Sequence, residues 1–418
     1  MKPMKAIGCV LIALICLALC CCQSKSPSLT ADYKRSGDMP VYDFYAEESG
    51  RPESYDKFAK AYSDFAAKML INANTNENGI YSPYSLYTAM ALTANGSAGK
   101  TLQNMENVMG NPLRIADINL SHHYLSSRLK ALNNDGGKLT SANSLWINDS
   151  FSVKSQYLQT VVNYYDAEVF RTKLAENGVS EINSWISKNT AGEIKDMISS
   201  LNETTQAVLV NALLFDDEWV TPYNEDALSE GTFNGTKGSE DADFMTSNEM
   251  FISSADAKGF IKSYKNTPCK FVAILPNEDV SLEEYISSLS GQKLDALLNS
   301  QSGLNRCFAT IPQFELRTKL SLKSALQSMG MDSVFSEDAN FSALTMNEGL
   351  CVSDVLQESF IKVTPQGTKA GSATAVIMDS AAIDTNFEEL IFNRPFLFMI
   401  VENEYNLPLF IGTVNSLG

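Results

Sequence analysis

A chain of 418 residues with 44% hydrophobic and 10% aromatic side chains can bury a large core, which excludes a disordered protein. Its 49 acidic against 32 basic side chains give a net charge of −17, which repels phosphate backbones and argues against nucleic acid as a partner. The sequence has no phosphate loop, GxSxG, HExxH or CxxC pattern, so neither an enzyme nor a cofactor or metal is expected.

Met1 to Lys5 carries two lysines, and "AIGCVLIALICLALCCC" follows as an uncharged apolar run broken by "QSKSPS". This is the pattern of a signal peptide. Its cysteine-rich end resembles the lipobox of bacterial lipoproteins, in which a cysteine is acylated. Compact residues precede Cys21 and Cys22, whereas bulky Leu19 precedes Cys20, so Cys22 ranks first as lipid-attachment site, ahead of Cys21 and Cys20. An ordinary cleaved signal or a short anchor helix is the alternative. The expected divisions are a signal at 1–22, a flexible tether at 23–54, and a folded domain at 55–418. That likeness implies an exported protein, lipid-anchored in the bacterial cell envelope on the periplasmic or surface face of the outer membrane.

"YDKFAKAYSDFAAKML" places Phe58, Tyr62, Phe65, Ala66 and Met69 at helical spacing. "IYSPYSLYTAMALTANGSAGKT" reads as a short strand, a Ser-Pro helix start and a buried helix ending at Gly96. Two further helical patterns follow, and the second contains His122 and His123. Neighbours on a helix point to different faces, so a shared metal or catalytic role is not expected and a surface position is expected for both. "KLTSANSLWIND" alternates like a strand, and "EINSWISKNTAGEIKDMI" is an amphipathic helix with a stop at Gly192. "AVLVNALLF" is an apolar run suited to a sheet covered on both faces. From Glu218 onward strands predominate, with one helix expected at 318–330. Outside the signal segment stand Cys269, Cys307 and Cys351, an odd number without metal-ligand spacing, expected as buried fillers. Early helices, late antiparallel strands and no repeat period indicate an α+β fold in one large domain.

Several motifs in one order resemble the serpin family across Tyr55 to the C-terminus. They include "NGIYSPYSLYTAMALTANGSAGKT", "YYDAEV", "INSWISKNTAGEIKDMI", "LVNALLFDDEW", "IPQFEL", "MGMDSVFSEDANFS" and "LIFNRPFLFMIVENEYNLPLFIGTVNSLG". The resemblance implies about nine helices around three β-sheets with an exposed reactive loop. It assigns Ser82, Ser85, Asn211 and Gln357 to a shutter beneath the central sheet, and Trp219 to the breach at its top. Gln357 stands where the family usually has histidine, and an amide can still both donate and accept.

In such a protein "VTPQGTKAGSATAVIMDSAAIDTNFEEL" is the loop offered to a protease, with Gly367 and Thr368 at its hinge. The residues themselves suit insertion as a strand. Thr368, Ala370, Ser372, Thr374, Val376 and Met378 form an uncharged face, while Lys369 and Asp379 fall on the other. No proline interrupts 366–384, so every N–H can join a ladder. Pro365 stands where the hinge usually begins with glutamate, and Lys369 where a second glutamate is common; proline's missing donor argues for slower insertion, while the alanine-rich centre argues the other way. The family register puts the reactive bond between Ala381 and Ala382, with Met378 and Ile383 as the neighbouring alternatives within 378–384 and several cutting sites in the loop as the plainer reading. Ala381 implies serine proteases with a small, elastase- or subtilisin-like pocket as partners, with cysteine proteases as a second class, and a monomer is expected. The alternative is a non-inhibitory serpin-fold binding protein, cleaved as a substrate.

Overall fold

The computed structural model describes residues 26–45, 50–74, 76–134, 136–300, 306–368 and 388–417. The first half supplies most of the helices: α1 (Tyr55–Ala73), strand β1 (Gly79–Tyr81), α2 (Pro83–Gly96), α3 (Gly99–Gly110) and α4 (Ile115–Ala131). Next come β2 (Lys138–Asn148), α5 (Ser155–Tyr165), β3 (Glu168–Thr172), α6 (Val179–Asn189) and β4 (Ala207–Glu218). The second half is β5 (Leu228–Gly235), β6 (Gly238–Ser253), β7 (Ala257–Ser263), β8 (Cys269–Pro276), α7 (Leu282–Ser287), α8 (Gly291–Leu298), β9 (Arg306–Pro312), β10 (Phe314–Ser321) and α9 (Lys323–Ser328). It closes with β11 (Asp354–Val363), β12 (Gly367–Thr368), β13 (Glu388–Ile391), β14 (Phe396–Glu402) and β15 (Pro408–Val414).

Two sheets hold these strands. The larger has nine, with β6 pairing β5 and β9 along its first part and β7 along its last residues, so two of the three expected sheets run together through one long strand. The other has six, in the order β10-β11-β12-β4-β2-β3. Its β4 is covered on both faces, as its continuous apolar run requires: Leu209, Leu213 and Phe215 join the main core, while Val208 and Val210 pack with Trp185 and Ile186 of α6. Buried α2 enters that main core through Ser82, whose side chain accepts from the Ser85 N–H as an N-cap, with Pro83 at the first helical position.

Four expectations need correction. Residues 26–45 are docked, not a free tether: Leu29 N–H donates to the Val169 carbonyl on edge strand β3, and Ser36 N–H donates to Asn163 of α5. Leu29, Tyr33, Tyr42 and Phe44 pack against the core, and these few apolar residues suffice to seat an otherwise polar segment. His122 and His123 are both 1% exposed, because α4 lies between α2, α5 and the docked segment and so is covered on more than one face. Residues 314–321 form a strand, and the helix expected at 318–330 shrinks to α9; α7 and α8 were not anticipated. Cys269 and Cys307 are buried as expected, but Cys351 is only half-buried. Residues 1–25 lie outside the described part, so Cys20, Cys21 and Cys22 have no structural account, and among the described residues no helix is long and apolar enough to cross a membrane.

Candidate functional site

β4 and β11 are neighbours that run parallel, yet among the described residues they pair directly only from Asp354↔Val208 to Gln357↔Asn211. Above that row they part, and at the top β12 lies between them, antiparallel to both. Thr368 is opposite Val363 on one side and Asp217 on the other, and Gly367 is opposite Glu218. The sheet is therefore split between 212–216 and 358–362, with the first residues of a potential intervening strand already seated.

Three residues, Thr364, Pro365 and Gln366, join β11 to β12 in a tight turn. Thr364 closes it, its N–H and hydroxyl both donating to the Gly367 carbonyl at 2.9 and 3.0 Å. The next three carbonyls upstream are taken by residues that follow β4. Trp219 Nε1 donates to Thr364 O (3.0 Å), Tyr223 N to Pro365 O (2.9 Å), and Trp219 N to Gln366 O (2.9 Å). Proline thus sits in a turn where its fixed φ is an asset and its missing N–H is not needed. Continued insertion would lengthen β12 downstream and leave this turn as it is, so the expected penalty at Pro365 has no structural basis. Gly367 is dictated by crowding, since a Cβ there would stand 2.2 Å from the Asp217 carbonyl oxygen. Thr368 is buried, and its hydroxyl is bonded to the Tyr264 hydroxyl. Tyr264 in turn stacks on Trp219, with ring centroids 4.6 Å apart.

Beneath the split, the residues assigned to a shutter are brought together. Gln357 Oε1 accepts from Ser82 N–H at 2.9 Å, and its Nε2 donates to Ser82 O at 3.0 Å, so the amide uses both functions on one buried residue. The Ser82 hydroxyl donates to Leu409 O (2.9 Å) and accepts from Ser85 N–H (3.1 Å). The Ser85 hydroxyl donates to Asn211 Oδ1, and Asn211 Nδ2 donates to Asn143 Oδ1. Asn143 reaches the Tyr165 carbonyl at 3.4 Å, and the Tyr165 hydroxyl donates to Asn119. Sequence reasoning missed Asn143, Tyr165 and Asn119. The one available signal was Asn143, a polar residue within a strand that grows increasingly buried.

The chain matches the family model Serpin (serine protease inhibitor) over residues 60–417. It is a serpin. An uncharacterized serpin-like protein of Methanosarcina acetivorans is 30% identical over 352 residues, 82% of each chain. The crystal structure of a thermophilic serpin, tengpin, in the native state is 34% identical, with a TM-score of 0.85 over 94% of this chain and all of that one. Tengpin in the latent state gives a TM-score of 0.75 over 87% of this chain at 33% identity. Members of this family are generally protease inhibitors and not enzymes. The serpin's Ala370, Ser372, Thr374, Val376, Ala381 and Ala382 fall in 369–387, outside the described residues.

Proposed function

We propose that this serpin is a suicide-type inhibitor of serine proteases with a small specificity pocket, cut between Ala381 and Ala382. The observation that carries the reading is the seated hinge. Continuing the β12–β4 register downward puts Thr374 opposite Asn211, and continuing the β12–β11 register puts Thr374 opposite Gln357. Asn211 and Gln357 are already paired with each other, so both registers converge on one row. Thr368 faces the core, and strand alternation then turns Ala370, Ser372, Thr374 and Val376 inward, all small or uncharged. The greater likeness to the native than to the latent state of tengpin supports a sheet that still has room.

The mechanism follows from energetics. On the order of ten new ladder bonds at about 1 kcal/mol each favour insertion, so a barrier holds the uninserted form. A protease serine attacks the Ala381 carbonyl and forms an acyl-enzyme, with the new amine on Ala382 leaving. Insertion then carries the tethered enzyme away before water completes hydrolysis. Export and lipid attachment at Cys22 belong to the same proposal, resting on the N-terminal pattern, and place the inhibitor in the cell envelope.

Incubating the serpin with an elastase- or subtilisin-like protease tests the reading on a denaturing gel with mass spectrometry. A covalent complex and a released peptide starting at Ala382 are expected. Complete cleavage with no complex and undiminished protease activity would overturn it in favour of a substrate-like binding protein.

A further inference from the structure

The turn that anchors the hinge is held by Trp219 and Tyr223, and both rings rest on one buried cation. Lys262 Nζ lies 4.3 Å from the Tyr223 ring centroid and 5.7 Å from that of Trp219. Its charge is met by Glu249, whose Oε1 is 2.5 Å away and also accepts from the Ser247 hydroxyl at 2.7 Å. Lys262 is 2% exposed and Glu249 8%. The two stand directly across from each other just beyond the point where β6–β7 pairing ends at Met250↔Ile261. Burial pulls the Lys262 ammonium below its ordinary value, and Glu249 opposes the fall.

A buried ion pair is a poor source of stability, because desolvation consumes most of the attraction, but it fixes geometry. Here the geometry is that of two aromatic residues which between them donate three hydrogen bonds to the turn. A cation against a ring face in a water-poor site restrains that ring's position. We propose that the Lys262–Glu249 pair is a positioning element for the reactive-loop hinge, presetting the depth at which Gly367 and Thr368 sit in the sheet. The consequence for inhibition rests on the inhibitory reading above. With the hinge preset, insertion starts from a formed nucleus; with it released, more acyl-enzyme is lost to hydrolysis before the protease is trapped.

The test combines two readouts on the full chain. In Lys262→Met/Glu249→Gln, methionine keeps the stem's volume and glutamine keeps an acceptor for Ser247. Amide hydrogen exchange at Trp219 and Tyr223 is expected to rise about tenfold or more, with β8 amides unchanged as a control for folding. The number of inhibitor molecules consumed per protease trapped is expected to rise in parallel, and Lys262→Arg is expected to keep both near wild type. If the double variant does not fold, Glu249→Gln alone is measured in the same way. Unchanged protection at Trp219 and Tyr223 in a folded variant overturns the proposal. The exchange contrast decides this even if the wild-type chain traps no protease, so failure of the inhibitory reading is distinguishable.

Discussion

Gly367 shows how much can depend on one missing methyl group. A Cβ at this position would stand 2.2 Å from the Asp217 carbonyl oxygen and 2.9 Å from the Glu218 Cα, so any side chain must push β12 out from between β4 and β11. Gly367→Ala is expected to raise the stoichiometry of inhibition several-fold, read by titrating active protease, with little effect on the cutting rate. His122 offers a separate test. It is fully buried against Tyr84, bonded to the Thr88 hydroxyl at 2.8 Å, and burial pushes its pKa down to about 3. The unfolded imidazole titrates near 6.5, so the unfolded chain takes up the proton first as pH falls. Stability from this group is therefore complete above about pH 6.5 and drains away toward pH 3, by up to about 1.4 kcal/mol per pH unit. Denaturant unfolding of His122→Gln is expected to show a flatter pH dependence in that window than wild type. Ser82, Ser85, Asn211, Gln357 and Trp219 were all legible in the sequence because the family resemblance assigns them. The burial of His122 was not, since it depends on helices and a docked segment that no local pattern reveals.

Among the elements, long and strongly patterned ones were readable and short or two-faced ones were not. The α2 start at Ser82–Pro83 and the apolar β4 follow from local chemistry and periodicity. By contrast, β10 alternates to its end, but its inward positions Thr318 and Leu320 are only half-buried, and the stretch "TKLSLKSALQSMG" merges with the following α9 into an apparent single helix. The hinge turn is the instructive case. Pro365 looked like an obstacle in the one-dimensional sequence, yet it occupies the loop of a hairpin whose carbonyls are claimed by Trp219 and Tyr223. The insertion face itself makes a sharp prediction. Thr374→Arg would place a charge in the row of Asn211 and Gln357, where the surrounding polar groups are already bonded to one another. Such a variant is expected to be cut at wild-type rate and to form almost no covalent complex; retention of trapping would show that insertion does not reach this row.

At the scale of the whole molecule, the six-stranded sheet is left incomplete by its register. Two parallel strands pair at one end, separate at the other, and hold a short antiparallel strand in the opening. On the inhibitory reading proposed above, a chain in this state is kept from its lowest free energy by the connection of both loop ends to fixed strands, β12 upstream and β13 downstream. A single cut between them removes that restraint. The direct measurement is the thermal unfolding temperature before and after one cut within residues 369–387, made by a protease that the protein does not trap. Roughly 10 kcal/mol of added ladder bonding is expected to raise it by about 10 to 15 °C in a domain of this size. An unchanged or lowered unfolding temperature in the cut protein would contradict the account, because it would mean that the opening between β4 and β11 does not accept the freed strand.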